Sequence, residues 1–183
     1  MTGRVLHINV GESAFLARVA APVMAAVFEN EVENGVVVIE GRGTLPARPM
    51  SQLCDTLSAV GVECSERMPL RLGGRIRPGL VRIDGAGGSQ SVSGLMFALP
   101  LLDSPSEIIV DNPVSVPYIY LTKEILGRYG VNVTVINDNK RLKILIPAPQ
   151  RYVAGLCREN HDGDWSAAAA FLCAAAICGR CSV

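Results

Sequence analysis

Charge of one sign, histidine and long hydrophobic runs are all in short supply in this chain. Seventeen basic residues balance seventeen acidic ones, so the basic excess that marks a nucleic-acid surface is missing, which argues against that class of partner. The two histidines, His7 and His161, have no serine, cysteine or carboxylate at motif spacing, and neither is assigned a general-base role. The longest nearly uncharged stretch, Ala167 to Gly179, is too short and too Ala-rich for a membrane span, and the first residues do not read as a secretory signal. Six cysteines are present, at positions 54, 64, 157, 173, 178 and 181. Three of them fall in apolar elements where a thiol packs as a small hydrophobe, which favours reduced, structural thiols. Cys178 and Cys181 have redox or metal-ligand spacing, but no second pair and no nearby histidine accompany them. No metal and no cofactor are implied. The composition is that of a soluble, cytoplasmic domain.

What the chain does have is one kind of helix start, used three times. Gly11-Glu12-Ser13, Gly88-Ser89-Gln90-Ser91 and Gly163-Asp164-Trp165-Ser166 each open an Ala- and Leu-rich apolar stretch. Such a start offers free backbone N–H groups and the positive end of a helix dipole, the ingredients of an anion site. Pro22 and Pro100 stand nine residues after Ser13 and Ser91, and Ala175 takes the corresponding place in the third copy.

A β-rich segment follows each of the first two helices, Val37–Gly41 and Ile108–Asn112. Next comes an amphipathic helix that opens near a proline, at Arg48-Pro49 or Val116-Pro117, and closes at Gly61 or Gly130. Its apolar positions are Leu53, Leu57 and Val60 in one copy and Leu121, Ile125 and Tyr129 in the other. Further strands are expected around Val62 to Cys64, Pro69 to Leu72 and Leu80 to Asp84. Their counterparts are Val131 to Val135, Leu142 to Ile146 and Tyr152 to Cys157. The repeat is roughly 75 residues, longer than solenoid periods, and predicts an α+β body with apolar helices inside and sheets outside. The chain opens on what reads as the closing strand of an earlier unit and stops as a third unit begins, so an internal fragment of a longer polypeptide is expected.

Four segments carry a resemblance: Gly41-Arg-Gly-Thr-Leu-Pro-Ala-Arg-Pro-Met50, Ile83-Asp-Gly-Ala-Gly-Gly-Ser-Gln-Ser91, Val114-Ser-Val-Pro-Tyr118 and the Gly163-Asp164 helix start. In their order and spacing the chain resembles the enolpyruvyl transferases, and within them the branch acting on shikimate 3-phosphate. The resemblance implies an α-β prism of βαβαββ-type repeats, present here as an incomplete domain. Residues 1–162 would form most of the shikimate-phosphate-binding domain, about two repeats, with residues 163–183 as the hinge return and the start of the next repeat. It implies transfer of the enolpyruvyl group of phosphoenolpyruvate to the 5-hydroxyl of shikimate 3-phosphate, with release of phosphate, in the pathway to chorismate and the aromatic amino acids. The two substrates are the implied partners, the full-length parent is expected to be a monomer, and the exposed faces of an incomplete domain favour self-association.

The resemblance also assigns residues. Arg48 matches an arginine that contacts phosphoenolpyruvate; a cation at a helix start opposes the dipole, which makes better sense with an anion beside it. Ser89 and Gln90 match the pair that grips substrate, although either Ser89 or Ser91 could equally cap its own helix. Many relatives carry a further serine where this chain has Gly88. Ser115 matches a phosphate-contacting serine, and Tyr118 a tyrosine lining the ring pocket; without the family, Ser115 reads as a helix cap and Tyr118 as core. Arg18 is read as supporting structure beside the phosphoenolpyruvate site, because a buried arginine demands a partner. Asp164 is read as hinge architecture, and Trp165 has no functional reading. No catalytic residue is expected in this chain, since the acids, bases and remaining arginines of the family belong to segments outside it, and turnover by the chain alone is not expected.

Three other readings stand beside this one. The sister enzyme acting on UDP-N-acetylglucosamine carries a reactive cysteine where this chain has Gly43, and lacks the Ser-Gln pair. An RNA 3′-terminal phosphate cyclase would call for a catalytic histidine and a basic track. A non-catalytic anion-binding module would keep the fold without the chemistry.

Overall fold

The computed structural model describes residues 4–28, 35–138, 140–153 and 163–178. Two units of the same plan follow one another. The first runs β1 (Val5–Asn9), α1 (Ala14–Phe28), β2 (Val36–Glu40), α2 (Ser51–Ser58), β3 (Val62–Cys64) and β4 (Leu70–Gly74). The second runs β5 (Leu80–Asp84), α3 (Gln90–Ala98), β6 (Ser106–Asp111), α4 (Val116–Arg128), β7 (Thr134–Asn137) and β8 (Arg141–Ile146), and α5 (Trp165–Cys178) comes last. Each unit makes a four-stranded sheet, in the order β1-β2-β4-β3 and β5-β6-β8-β7. In both, the first two strands are parallel and the rest antiparallel.

The parallel pairs position the site. Because β1 and β2 run the same way, the helices that follow them, α1 and α2, start at the same end of the sheet; β5 and β6 do the same for α3 and α4. Ligands gather at such carboxyl ends of parallel strands because helix N-termini gather there too.

The alternation of β5 and β6 puts Val81, Ile83, Ile108 and Val110 into the core, as period-two strands require. The helices meet that core unequally. Seven of the nine residues of α3 are buried, so it is a helix wrapped on all sides. α1 buries a small-residue stripe of Ala14, Ala17, Ala21, Ala25 and Ala26 that allows α3 to come close. At the crossing a Cβ on Gly94 would stand 2.6 Å from the Arg18 carbonyl and 2.8 Å from Pro22 Cγ. The same proline leaves the Arg18 carbonyl without its helical N–H partner four residues on. Glycine at position 94 is therefore demanded by backbone meeting backbone.

Several expectations need correction. Pro22 lies inside α1 whereas Pro100 sits in the single 3-10 turn Leu99–Leu101 that ends α3, so the two prolines do not mark equivalent places. The inward face of α4 is Ile119, Thr122 and Leu126, and the expected face is rotated outward: Leu121 and Tyr129 are exposed. This helix is apolar around most of its circumference, so two rows at helical spacing compete; the row that packs is the one whose Thr122 meets a hydroxyl on α3. β7 begins three residues later than expected, although Val131 and Val133 are buried ahead of it. Tyr152 and Val153 lie outside any strand, and the rest of the segment expected there falls outside the described residues. The third apolar helix forms as α5, with Trp165, Phe171 and Ile177 exposed. No helix of the described residues is long and apolar enough to cross a membrane.

Candidate functional site

All four helix starts at the carboxyl ends of the parallel strands open onto one cleft of about 590 Å³. From α1 come Phe15 and Arg18, and from α2 comes Gln52. Gly87, Gly88, Ser89, Gln90 and Ser93 are contributed by the turn before α3 and its first turn. Ser115, Tyr118, Leu121 and Thr122 are contributed by the start of α4. Arg18 is the only charged side chain among them. A cleft that among the described residues has one cation, no carboxylate, several hydroxyls and four helix N-termini suits an anion.

Local geometry explains how the polar groups are presented. Asp84, at the end of β5, accepts from the Ala86 amide at 3.1 Å and from Asn112 Nδ2 at 3.3 Å, tying the turn before α3 to the loop before α4. Gly88 then takes φ +122°, a conformation a serine would adopt only under strain. Ser89 occupies the N-cap position of α3 but makes no capping bond. Ser115, the N-cap of α4, sits in the left-handed region at φ +55° and makes none either. Left-handed backbone in a residue with a Cβ is unfavourable by about 1 kcal/mol, a local strain of the sort that accompanies ligand sites. The capping reading of Ser89 and Ser115 is therefore corrected: their hydroxyls are not engaged by their own helices.

Arg18 donates from Nη1 to Gln90 Oε1 at 2.7 Å and from Nη2 to the Pro49 carbonyl at 3.3 Å. Burial, and secondarily the charge of Arg48, lower its pKa from the ordinary guanidinium value. Two arginines close enough to oppose each other are an arrangement that a bound anion relieves. Arg48 itself does not line the cleft; it lies in an adjoining hollow with Pro49, Ser51, Glu66 and Arg67. Of the residues singled out from the sequence, Ser89, Gln90, Ser115 and Tyr118 share one cleft with Arg18, and Arg48 stands next door behind Arg18. Tyr118 is 57% exposed, so the alternative of a core tyrosine is set aside. Asp164 is exposed at the start of α5 and is not among the cleft residues; its carbonyl accepts from Ala168 at 2.9 Å.

Sequence reasoning missed Phe15, Gln52, Ser93, Leu121 and Thr122. Phe15 lies three residues before Arg18 on the same helix, a signal in its spacing, whereas Gln52 had none, because Arg48 precedes α2 in extended backbone. Ser93 stands three residues after Gln90 on α3 and Thr122 four after Tyr118 on α4, so both had the same spacing signal; their hydroxyls meet at 2.8 Å in the α3–α4 contact. Ser91 is buried behind the helix start, its hydroxyl without a hydrogen-bond partner among the described residues. His7 pairs with Glu40 on the neighbouring strand at 3.3 Å, and His161 and Cys181 lie outside the described residues. Cys54 and Cys64 are free thiols 2.7 Å apart, and burial pushes both upward in pKa. Among the described residues no group of three or more metal-ligating side chains comes together.

Residues 7–183 match the family model described as EPSP synthase (3-phosphoshikimate 1-carboxyvinyltransferase). A curated relative from Methanospirillum hungatei named 3-phosphoshikimate 1-carboxyvinyltransferase is 31% identical across 94% of this chain and 40% of its own length. One of the same name from Methanococcus maripaludis is 28% identical across 93% of this chain and 39% of its own. The solved EPSP synthase of Acinetobacter baumannii shares the fold, with a TM-score of 0.62 at 17% identity, over 81% of this chain and 32% of that one. The chain spans about two fifths of the length of these curated relatives. With nearly its whole length inside the family model, the chain belongs to the EPSP synthase family.

Proposed function

We propose that the cleft holds shikimate 3-phosphate and that the protein of which these residues form part moves the enolpyruvyl group of phosphoenolpyruvate onto the 5-hydroxyl of that substrate, releasing phosphate. The observation that carries this reading is the convergence of four helix starts on one cleft, with Ser89, Gln90, Ser115 and Tyr118 around it and Arg18 as its only charge among the described residues. Ser89 and Ser115 donate to the phosphate together with backbone N–H groups of α3 and α4. Gln90 is held by Arg18, so its amide N–H2 is turned to the substrate. Tyr118 lies against the ring. Arg48, in the adjoining hollow, receives phosphoenolpyruvate, where its planar fork can bind a carboxylate or phosphate through two bonds.

In this reading residues 1–162 belong to the shikimate-phosphate-binding domain and residues 163–183 to the return towards a second one. The shared topology of the two sheets supports the former. In the same reading the full-length protein works as a cytoplasmic monomer and needs no cofactor. Catalysis needs groups from both domains in a closed state. The 183-residue chain alone is therefore expected to bind without turning over.

Titration of the chain with shikimate 3-phosphate, wild type against Ser89→Ala, tests the cleft. A charge-assisted hydrogen bond is worth about 1.5–3 kcal/mol, so affinity should fall at least tenfold; equal affinities would remove Ser89 from the site.

A further inference from the structure

We propose that Gln52 reads the hydroxyl groups of the ligand, and so makes the cleft prefer a hydroxylated ring phosphate to a bare phosphate. This rests on the cleft being the shikimate 3-phosphate site.

Hydrogen-bond donors and acceptors in the cleft are unequally free. The Gln90 carbonyl is taken by Arg18 Nη1 at 2.7 Å, which leaves Gln90 only its N–H2 to offer. Thr122 donates to the Tyr118 carbonyl at 2.8 Å and therefore accepts the proton of Ser93, 2.8 Å away; both hydroxyl protons are engaged. The remaining polar groups, Ser89, Ser115, Tyr118 and Arg18, can all donate to an anion, and among the described residues no carboxylate lines the cleft. Gln52 is the exception. Its Nε2 donates to the Asp84 carbonyl at 3.3 Å, and because a carbonyl only accepts, that contact fixes which end of the amide is nitrogen. Its Oε1 has no hydrogen-bond partner among the described residues, and the amide lies over the Gly87 backbone in the space a Cβ would occupy. Gln52 thus supplies the one uncommitted side-chain carbonyl of the cleft among the described residues, next to the turn that leads into Ser89.

A phosphate monoester dianion presents only acceptor oxygens, and inorganic phosphate mostly acceptor oxygens, near neutral pH, so neither depends on a carbonyl as a ring hydroxyl does. A ring hydroxyl is a donor and does gain. Specificity built on such a bond is sharp, because a ligand without the hydroxyl leaves the site's own polar group unpaired.

Gln52→Met keeps the length and the packing over Gly87 but removes the carbonyl, together with the Nε2 donation to the Asp84 carbonyl. Wild type and variant would be titrated separately with shikimate 3-phosphate and with inorganic phosphate, following the amide resonances of Gly87, Gly88 and Ser89. Loss of one neutral hydrogen bond should weaken shikimate 3-phosphate about fivefold to tenfold while inorganic phosphate stays within about twofold. Gln52→Glu restores an acceptor but adds a negative charge, so, unlike Gln52→Met, it should weaken inorganic phosphate as well. Unchanged affinity of Gln52→Met for shikimate 3-phosphate overturns the inference. So does an equal loss for both ligands, which would make Gln52 a prop for the turn. If wild type binds neither ligand, the reading of the cleft itself fails and this inference falls with it; if wild type binds shikimate 3-phosphate and the variants match it, only the role of Gln52 is lost.

Discussion

The first and second units share a topology and a Gly-Ser helix start, yet they treat the serine differently. In the first unit Ser13 Oγ accepts from the Leu16 amide at 3.1 Å, and Gly11 N donates to Asn9 Oδ1 at 2.8 Å. The start of α1 is closed on itself, and what it sends into the cleft lies further along, Phe15 and Arg18. In the second unit Ser89 makes no capping bond, is buried to 6% exposure and lines the cleft. One motif serves stability in one place and is left open to a ligand in the other. Whether a helix start is a cap or a site depends on whether its side-chain oxygen is already taken.

The comparison can be broken most forcefully at the crossing that holds the two units together. Gly94→Val should destabilise the chain by about 3 kcal/mol, because overpacking here meets backbone that cannot retreat; urea unfolding reads the loss, and a change under about 0.5 kcal/mol would deny the close approach. Next, Ser13→Ala should lower stability by about 1 kcal/mol, the usual contribution of a cap, with affinity for shikimate 3-phosphate unaltered. The inverse pattern, intact stability with weaker binding, would erase the distinction between the two serines. Ser115→Gly sharpens the same contrast in α4: relief of the left-handed strain should raise stability by up to about 1 kcal/mol, while a calorimetric titration shows weaker binding. A loss of stability there would mean the Ser115 side chain supports the fold.

The smallest effect concerns pH. The Cys54 and Cys64 thiols have raised pKa values, chiefly because burial disfavours thiolate and, for Cys64, also because it hydrogen-bonds Cys54. The folded chain therefore keeps protons that the unfolded chain releases. This contribution to stability is complete below about pH 8.5, the unfolded thiol value, and is lost as pH rises beyond it. Thermal melts between neutral and alkaline pH should show the decline, and Cys64→Ala should flatten it.

Much of this protein could be read before any coordinates. The helix starts were legible because glycine, serine and a following apolar run act locally, through the few bonds of one helical turn. The β5 and β6 strands were legible from their own alternation. The face of α4 was not: a helix with apolar residues on most sides leaves its orientation to whichever neighbour offers the better partner, here Ser93 for Thr122. The site divides in the same way. Ser89, Gln90, Ser115 and Tyr118 were found through their resemblance to a family, whereas Gln52 emerged only when the first unit's helix was seen lying over the second unit's turn.

The sequence by itself determined the elements, their repetition, the charge neutrality and the presence of hydroxyls at helix starts, because each of these is a property of a few consecutive residues. Only the tertiary structure decided which of those hydroxyls are open to a ligand and which amide keeps a free carbonyl. Those outcomes hang on hydrogen bonds between residues tens of positions apart, such as Arg18 with Gln90, and no local pattern specifies who reaches whom.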